Sequence, residues 1–101
     1  IQCEAGSECY EGQVAVGAVV MNRLRSGSYP STIYDVIYQK GQFTPAGSGS
    51  VANVIANGPS ATCVQAAQEA LNGTDNTGGA VSFRRASSGH AGVVIGNHVF
   101  Y

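Results

Sequence analysis

The stretch Tyr10-Glu11-Gly12-Gln13-Val14-Ala15-Val16-Gly17-Ala18-Val19-Val20-Met21-Asn22-Arg23-Leu24-Arg25 decides the fold class of this 101-residue chain. Its apolar residues are nearly continuous from Val14 to Leu24, too long a run for one strand. Acidic residues lie at its front, and Arg23 and Arg25 at its back, the polarity a helix dipole favours. The pattern predicts a central, mostly buried helix stopped by Gly27. Beyond Pro30, Thr32-Ile33-Tyr34-Asp35 reads as an N-cap with an acidic third position, opening a short helix to about Tyr38 that Gly41 closes. Val51 to Ala56 predicts a further helical turn, ended by Asn57, Gly58 and Pro59. Ser60 then caps a second long helix to about Leu71, where Asn72 and Gly73 end it. After a turn at Gly78 and Gly79, Val81 and Phe83 alternate with Ser82 and Arg84. Val93 to Ile95, a break at Gly96 and His98 to Tyr101 follow, reading as paired strands. Helices first and a small antiparallel sheet last is an α+β order.

The rest of the sequence narrows the function by exclusion. A chain of this length is expected to form one domain, residues 1–101, around one core. Charged residues are only 11%, against about 25% in typical domains, which excludes highly charged disorder. A net charge of -1 leaves no basic surplus for nucleic acid. The longest apolar run, Val14 to Met21, falls short of the roughly 18 residues of a membrane span. The chain opens at Ile1 without a Met or a signal segment, as a mature or excised piece does. Three cysteines, one Lys and 14 Gly lean towards an extracytoplasmic protein with one disulfide and one leftover thiol, the pairing left open.

Few residues are left to carry chemistry. No phosphate-binding loop is present, and His90, His98 and the cysteines lack metal-ligand spacing, so neither a cofactor nor a metal is expected. Cys3 or Cys63 with His98 would make a thiol nucleophile and its base, though buried or disulfide-bonded cysteines explain the same residues. Of six acidic residues, Glu4, Glu8 and Glu11 cluster ahead of the central helix. Glu8 and Glu11 read as charges stabilising its N-terminus. Glu4, beside Cys3, Ala5 and Ile1, is either a solvated carboxylate or, if it packs there, a desolvated and therefore protonated acid. Spacing alone leaves that choice open.

Cys3-Glu4-Ala5 with Glu8, Tyr10-Glu11-Gly12-Gln13-Val14-Ala15-Val16 and Asn22-Arg23 resembles the SleB/CwlJ-type bacterial cell wall hydrolases, the spore cortex-lytic enzymes. The similarity continues in order through Tyr29-Pro30, Ile33-Tyr34, Val36-Ile37, Gln42-Phe43-Thr44, Ala70-Leu71-Asn72-Gly73 and Gly96-Asn97-His98-Val99-Phe100-Tyr101. It implies a small lysozyme-like or lytic-transglycosylase-like α+β domain. The helix leading into the catalytic glutamate is represented only by Ile1 to Cys3. The implied activity is cleavage of peptidoglycan glycan strands, with Glu4 as general acid and base and Tyr10, Gln42, Thr44, Phe83 and His98 lining the groove. Gly6 and the stretch Ser82 to Gly92 depart from the spore enzymes, so the substrate is generalised to peptidoglycan. Against this pattern the cysteines are additions. A Cys9 to Cys63 disulfide would staple the two long helices, with Cys3 to Cys63 equally permitted. The expectation is a monomeric bacterial enzyme, secreted or held in the envelope, with no nucleic acid partner. A Cys/His peptidase or amidase acting on peptide stems and a non-catalytic wall-binding module are the rivals.

Overall fold

The computed structural model describes residues 1–39 and 50–101. Five α-helices are described: α1 (Gln2–Ala5), α2 (Tyr10–Ser26), α3 (Ile33–Ile37), α4 (Ser50–Asn57) and α5 (Ala61–Leu71). Three short strands follow: β1 (Phe83–Arg85), β2 (Val93–Ile95) and β3 (His98–Phe100), with a 3-10 turn (Ala86–Ser88) after β1. The α+β order expected from the sequence is the observed one.

The punctuation residues act as their chemistry requires. Gly27 ends α2 at φ 77°, a left-handed conformation that costs glycine little. The Thr32 hydroxyl accepts from the Asp35 backbone N–H at 3.1 Å, and Ser60 accepts from Cys63 N–H at 3.2 Å, satisfying donors otherwise orphaned at helix starts.

From Gly12 to Val19 every residue of α2 is buried, because α1, α3, α5 and the sheet surround it. Its closest approach is to α5. A Cβ on Gly17 would lie 2.8 Å from the Ala70 Cβ, so only glycine admits that spacing. Where the helix meets the sheet, Ala15, Val16 and Val19 join Ala5, Ala80 and Phe100 in one core cluster, with Ile1, Phe83 and Ile95 packed around it. Phe100, 1% exposed, is the largest fully buried side chain among the described residues.

The sheet order is β1-β3-β2, with both pairings antiparallel. Phe83 faces Phe100 and Arg85 faces His98 across the first pair; Ile95 faces His98 across the second. The ladder extends past β1, since Val81 and Ser82 N–H both donate to the Tyr101 carbonyl. The expected staple between α2 and α5 is absent. Cys9, exposed at the N-cap of α2, and Cys63, buried in α5, are both free thiols. Cys9 Sγ lies near Gly12 and Gly96, whereas Cys63 lines an apolar groove with Ile1, Val54, Pro59 and Leu71. With the two sulfurs in different neighbourhoods, the close Cβ approach a disulfide requires is not made.

Candidate active site

Glu4 sits in the single turn of α1, beside Ala5, which is 2% exposed in the core. That anchoring leaves the Glu4 side chain half-buried, and burial pushes its carboxyl above the usual carboxylate range. Nearby positive charge opposes the shift without cancelling it. Burial therefore shifts the balance at Glu4 towards its neutral form, the direction that a general acid requires. Gln13 secures the link from α1 to α2, its side-chain amide donating to the Glu8 carbonyl at 3.2 Å and, more weakly, to that of Gly6 at 3.5 Å.

An open cleft of about 400 Å³ begins at Glu4. Ser7 and Glu8 continue one wall; Arg85, Ala86, Ser87, Asn97 and His98 form the other. The cleft thus lies between the α1–α2 connection and the ends of β1 and β3.

Glu8 is not the helix-capping charge that its position suggested. It lies before the Cys9 N-cap, and its carboxylate turns away to the β2–β3 hairpin. Asn97 N–H donates to Oε1 at 2.9 Å and the Asn97 side-chain amide to Oε2 at 3.0 Å, while His98 Nδ1 lies 3.5 Å from Oε1. Gly96 admits this contact: it has φ 59°, and a Cβ there would come within 2.8 Å of Glu8 Oε1. The Asn97 backbone bond first, then its side-chain bond, hold the Glu8 carboxyl below its usual value. Glu11, by contrast, stays exposed in the first turn of α2, as the dipole reading expects.

A test follows from Glu8. Glu8→Gln is expected to lower stability by about 1–3 kcal/mol near neutrality, the cost of weakening hydrogen bonds to a charged group. Because the folded pKa is depressed, that contribution is present above the unfolded value and is lost as pH falls through the folded one. Thermal melts at neutral pH and at about pH 3 should show the wild-type advantage shrinking in acid; an advantage independent of pH would exclude an ionic role for Glu8.

The remaining expected residues are partly brought together. His98 lines the cleft and packs at the edge of Phe83, ring centroids 5.2 Å apart and nearly perpendicular; Phe83 in turn lies against Phe100 at 5.6 Å. Phe83 therefore supports the His98 wall. Tyr10 goes elsewhere. Its hydroxyl donates to Glu69 Oε2 at 2.6 Å, bracing α2 on α5, and that bond above all pushes its pKa up to about 12. Gln42 and Thr44, and the Cys3 side chain, lie outside the described residues. The thiol reading loses Cys63, which lines the separate apolar groove while His98 faces Glu8 and Phe83.

Two features were missed from the sequence. Arg85 follows Phe83 by two positions, and period-2 alternation would have placed both on one sheet face. Asp75 accepts from Thr77 N–H and hydroxyl at 2.9 and 2.6 Å, from Gly79 N–H at 2.9 Å and from Asn22 at 3.1 Å, tying the α5–β1 loop to α2. Its spacing to Thr77, a common local carboxylate turn, was the available signal.

Residues 7–101 match the family model described as cell wall hydrolase. The spore cortex-lytic enzyme of Halalkalibacterium halodurans is 35% identical over 105 residues, covering 96% of this chain and 31% of that protein. The spore cortex-lytic enzyme of Oceanobacillus iheyensis is also 35% identical over 105 residues, covering 96% of this chain and 37% of its own. The chain thus spans about a third of the length of these curated relatives. Among solved structures, the catalytic domain of the germination-specific lytic transglycosylase SleB from Bacillus anthracis superposes with a TM-score of 0.84 at 33% identity, over 98% of this chain and 84% of that one. The catalytic domain of the Bacillus cereus SleB protein gives 0.82 at 34% identity, over 98% and 80%. Glu4 lies just ahead of the span matched by the family model.

Proposed function

The chain belongs to the cell wall hydrolase family, and from that premise we propose that it cleaves the glycan strands of peptidoglycan as a lytic transglycosylase, with Glu4 as the single general acid and base. The observation that carries this reading is a half-buried carboxyl with a raised pKa at the edge of an open, polar cleft. Protonated Glu4 donates to the glycosidic oxygen as the C1–O bond breaks. The resulting carboxylate takes the proton of the sugar's own 6-hydroxyl, whose oxygen closes on C1 to form a 1,6-anhydro ring. One proton leaves Glu4 and one returns, so no second catalytic carboxylate is needed.

Glu8 supports the one-carboxylate route. Hydrolysis requires an ionised base or nucleophile opposite the acid, and both Glu8 oxygens are already engaged by Asn97. An ionised Glu8 in the same cleft instead favours the positive charge that develops on the sugar. His98 and Phe83 form one wall for sugar rings, with Gln42 and Thr44 assigned to the same groove by family resemblance. Tyr10, held by Glu69, is reassigned to bracing. No helix among the described residues is long and apolar enough to cross a membrane. The proposed setting is the cell envelope or the exterior, where the domain acts as a monomer on bacterial peptidoglycan, the spore cortex included.

Mass spectrometry of fragments released from purified peptidoglycan tests the reaction. Fragments one water lighter than hydrolysis products are expected. Ordinary reducing ends would replace the anhydro route with hydrolysis, and binding without any soluble fragment would leave a wall-binding module.

A further inference from the structure

The two ring nitrogens of His98 have different surroundings. Nδ1 is buried, makes no hydrogen bond and lies 3.5 Å from Glu8 Oε1, the two side chains being only 14% and 9% exposed. Nε2 is therefore the nitrogen that can meet a ligand where His98 lines the cleft. Little room is left for the ring to turn over. Phe83 and Phe100 pack against it at steep interplanar angles of 83° and 70°, with centroids 5.2 and 6.2 Å away. Glu8 is fixed in its turn, because Asn97 engages both of its oxygens.

A neutral imidazole carries one N–H, and its neighbours decide which nitrogen holds the proton. At 3.5 Å the Glu8 contact is longer than a hydrogen bond and acts through charge. With the proton on Nδ1, a positive N–H edge faces an ionised carboxylate; with it on Nε2, a buried lone pair faces the same negative oxygen. Partial exclusion of water strengthens that preference. Glu8 is the acid that stays ionised, since Asn97 holds its carboxyl below the usual value, whereas burial shifts Glu4 towards its neutral form. Arg85, the register partner of His98, is exposed to solvent. Resting on the glycan-cleaving reading above, we propose that Glu8 is a positioning residue that keeps the neutral His98 ring protonated at Nδ1, so that Nε2 accepts a hydrogen bond from a hydroxyl of the bound sugar. Because the ring is fixed, its lone pair selects one rotation of that hydroxyl in the cleft that also holds Glu4.

Long-range 1H–15N NMR of the imidazole nitrogens reads the tautomer directly, at about pH 8.5, well above the ordinary histidine value. The His98 signals are assigned by their loss in His98→Gln. In the wild type, Nδ1 should resonate as a protonated nitrogen and Nε2 as an unprotonated one. In Glu8→Gln, studied below its melting temperature, the proton should move at least in part to Nε2, and kcat/KM should fall about three- to tenfold beyond the loss of folded protein. Soluble peptidoglycan fragments added to Glu4→Gln should move the Nε2 resonance towards the protonated position and leave Nδ1 in place. A wild-type ring protonated at Nε2, a tautomer unchanged in folded Glu8→Gln, or fragments that bind without moving Nε2 would overturn the assignment. Since the tautomer is read with no glycan present, fragments that fail to bind at all would overturn the glycan-cleaving reading and the sugar contact with it, while the hold of Glu8 on the ring would stand.

Discussion

Glu4→Gln is expected to lower the rate of glycan cleavage by about 10³-fold or more, because the amide keeps the shape of the acid but has no proton to transfer. Folding should not suffer. A carboxyl whose folded pKa is raised holds its proton more tightly in the native state than in the unfolded one. Its ionisation therefore costs stability as pH rises from the unfolded value through the folded one. Glutamine removes that cost, so the variant should melt at the same temperature as wild type, or higher, near neutrality. The pH profile carries the same sign. Wild-type kcat/KM should fall as pH rises through a pKa above the ordinary glutamate value, since only protonated Glu4 can donate. Full activity in Glu4→Gln, or an equal loss of activity and melting temperature, would remove Glu4 from the catalytic role.

Phe100→Ala is expected to destabilise the protein by about 3–5 kcal/mol, the range for truncating a fully buried aromatic ring. For a domain of this size that lowers the melting temperature by roughly 12 °C or more. Its neighbours explain why the site cannot relax into the gap: Ala5, Ala15 and Ala80 are small and set on rigid backbone, with Val16 and Val19 held on α2. The loss also reaches the cleft. Phe100 supports Phe83, which lies against His98, while Ala5 in the same cluster anchors the turn that carries Glu4. Activity in Phe100→Ala should therefore fall below what its folded fraction accounts for at low temperature. Phe100→Leu, which fills more of the volume, should recover most of both. A melting shift of only a few degrees in the alanine variant would mean that the sheet does not rest on α2 through this ring.

Local chemistry made most of the helical framework legible. The nearly continuous apolar run became α2, and Thr32, Ser60, Gly27 and Gly73 acted where caps and stops were expected, because each satisfies or releases backbone groups within a few residues. The strands at Val93 and His98 were likewise visible, their two-residue turn marked by Gly96. Glu8 shows the limit of such reasoning. Its proximity to a helix start suggested a dipole interaction, yet its partner is 89 positions away in Asn97. Tyr10 suggested a sugar platform by resemblance, and its hydroxyl is taken by Glu69, 59 positions on. In the cysteines, a pairing equally permitted by sequence found no counterpart, because the sulfurs of Cys9 and Cys63 face different neighbours.

By itself, then, the sequence determined the α+β order, the central buried helix and, through its ordered motifs, the family, and it singled out Glu4 as the acid to test. Only the tertiary structure decided that Glu4 is half-buried, that Glu8 is bound by the hairpin and that Arg85 lines the cleft. Helix periodicity and capping depend on contacts a few residues apart, and so they are written locally. Desolvation and ion pairing depend on which surfaces the folded chain brings together, and those distances exist only once α1, α2 and the sheet have closed on a common core.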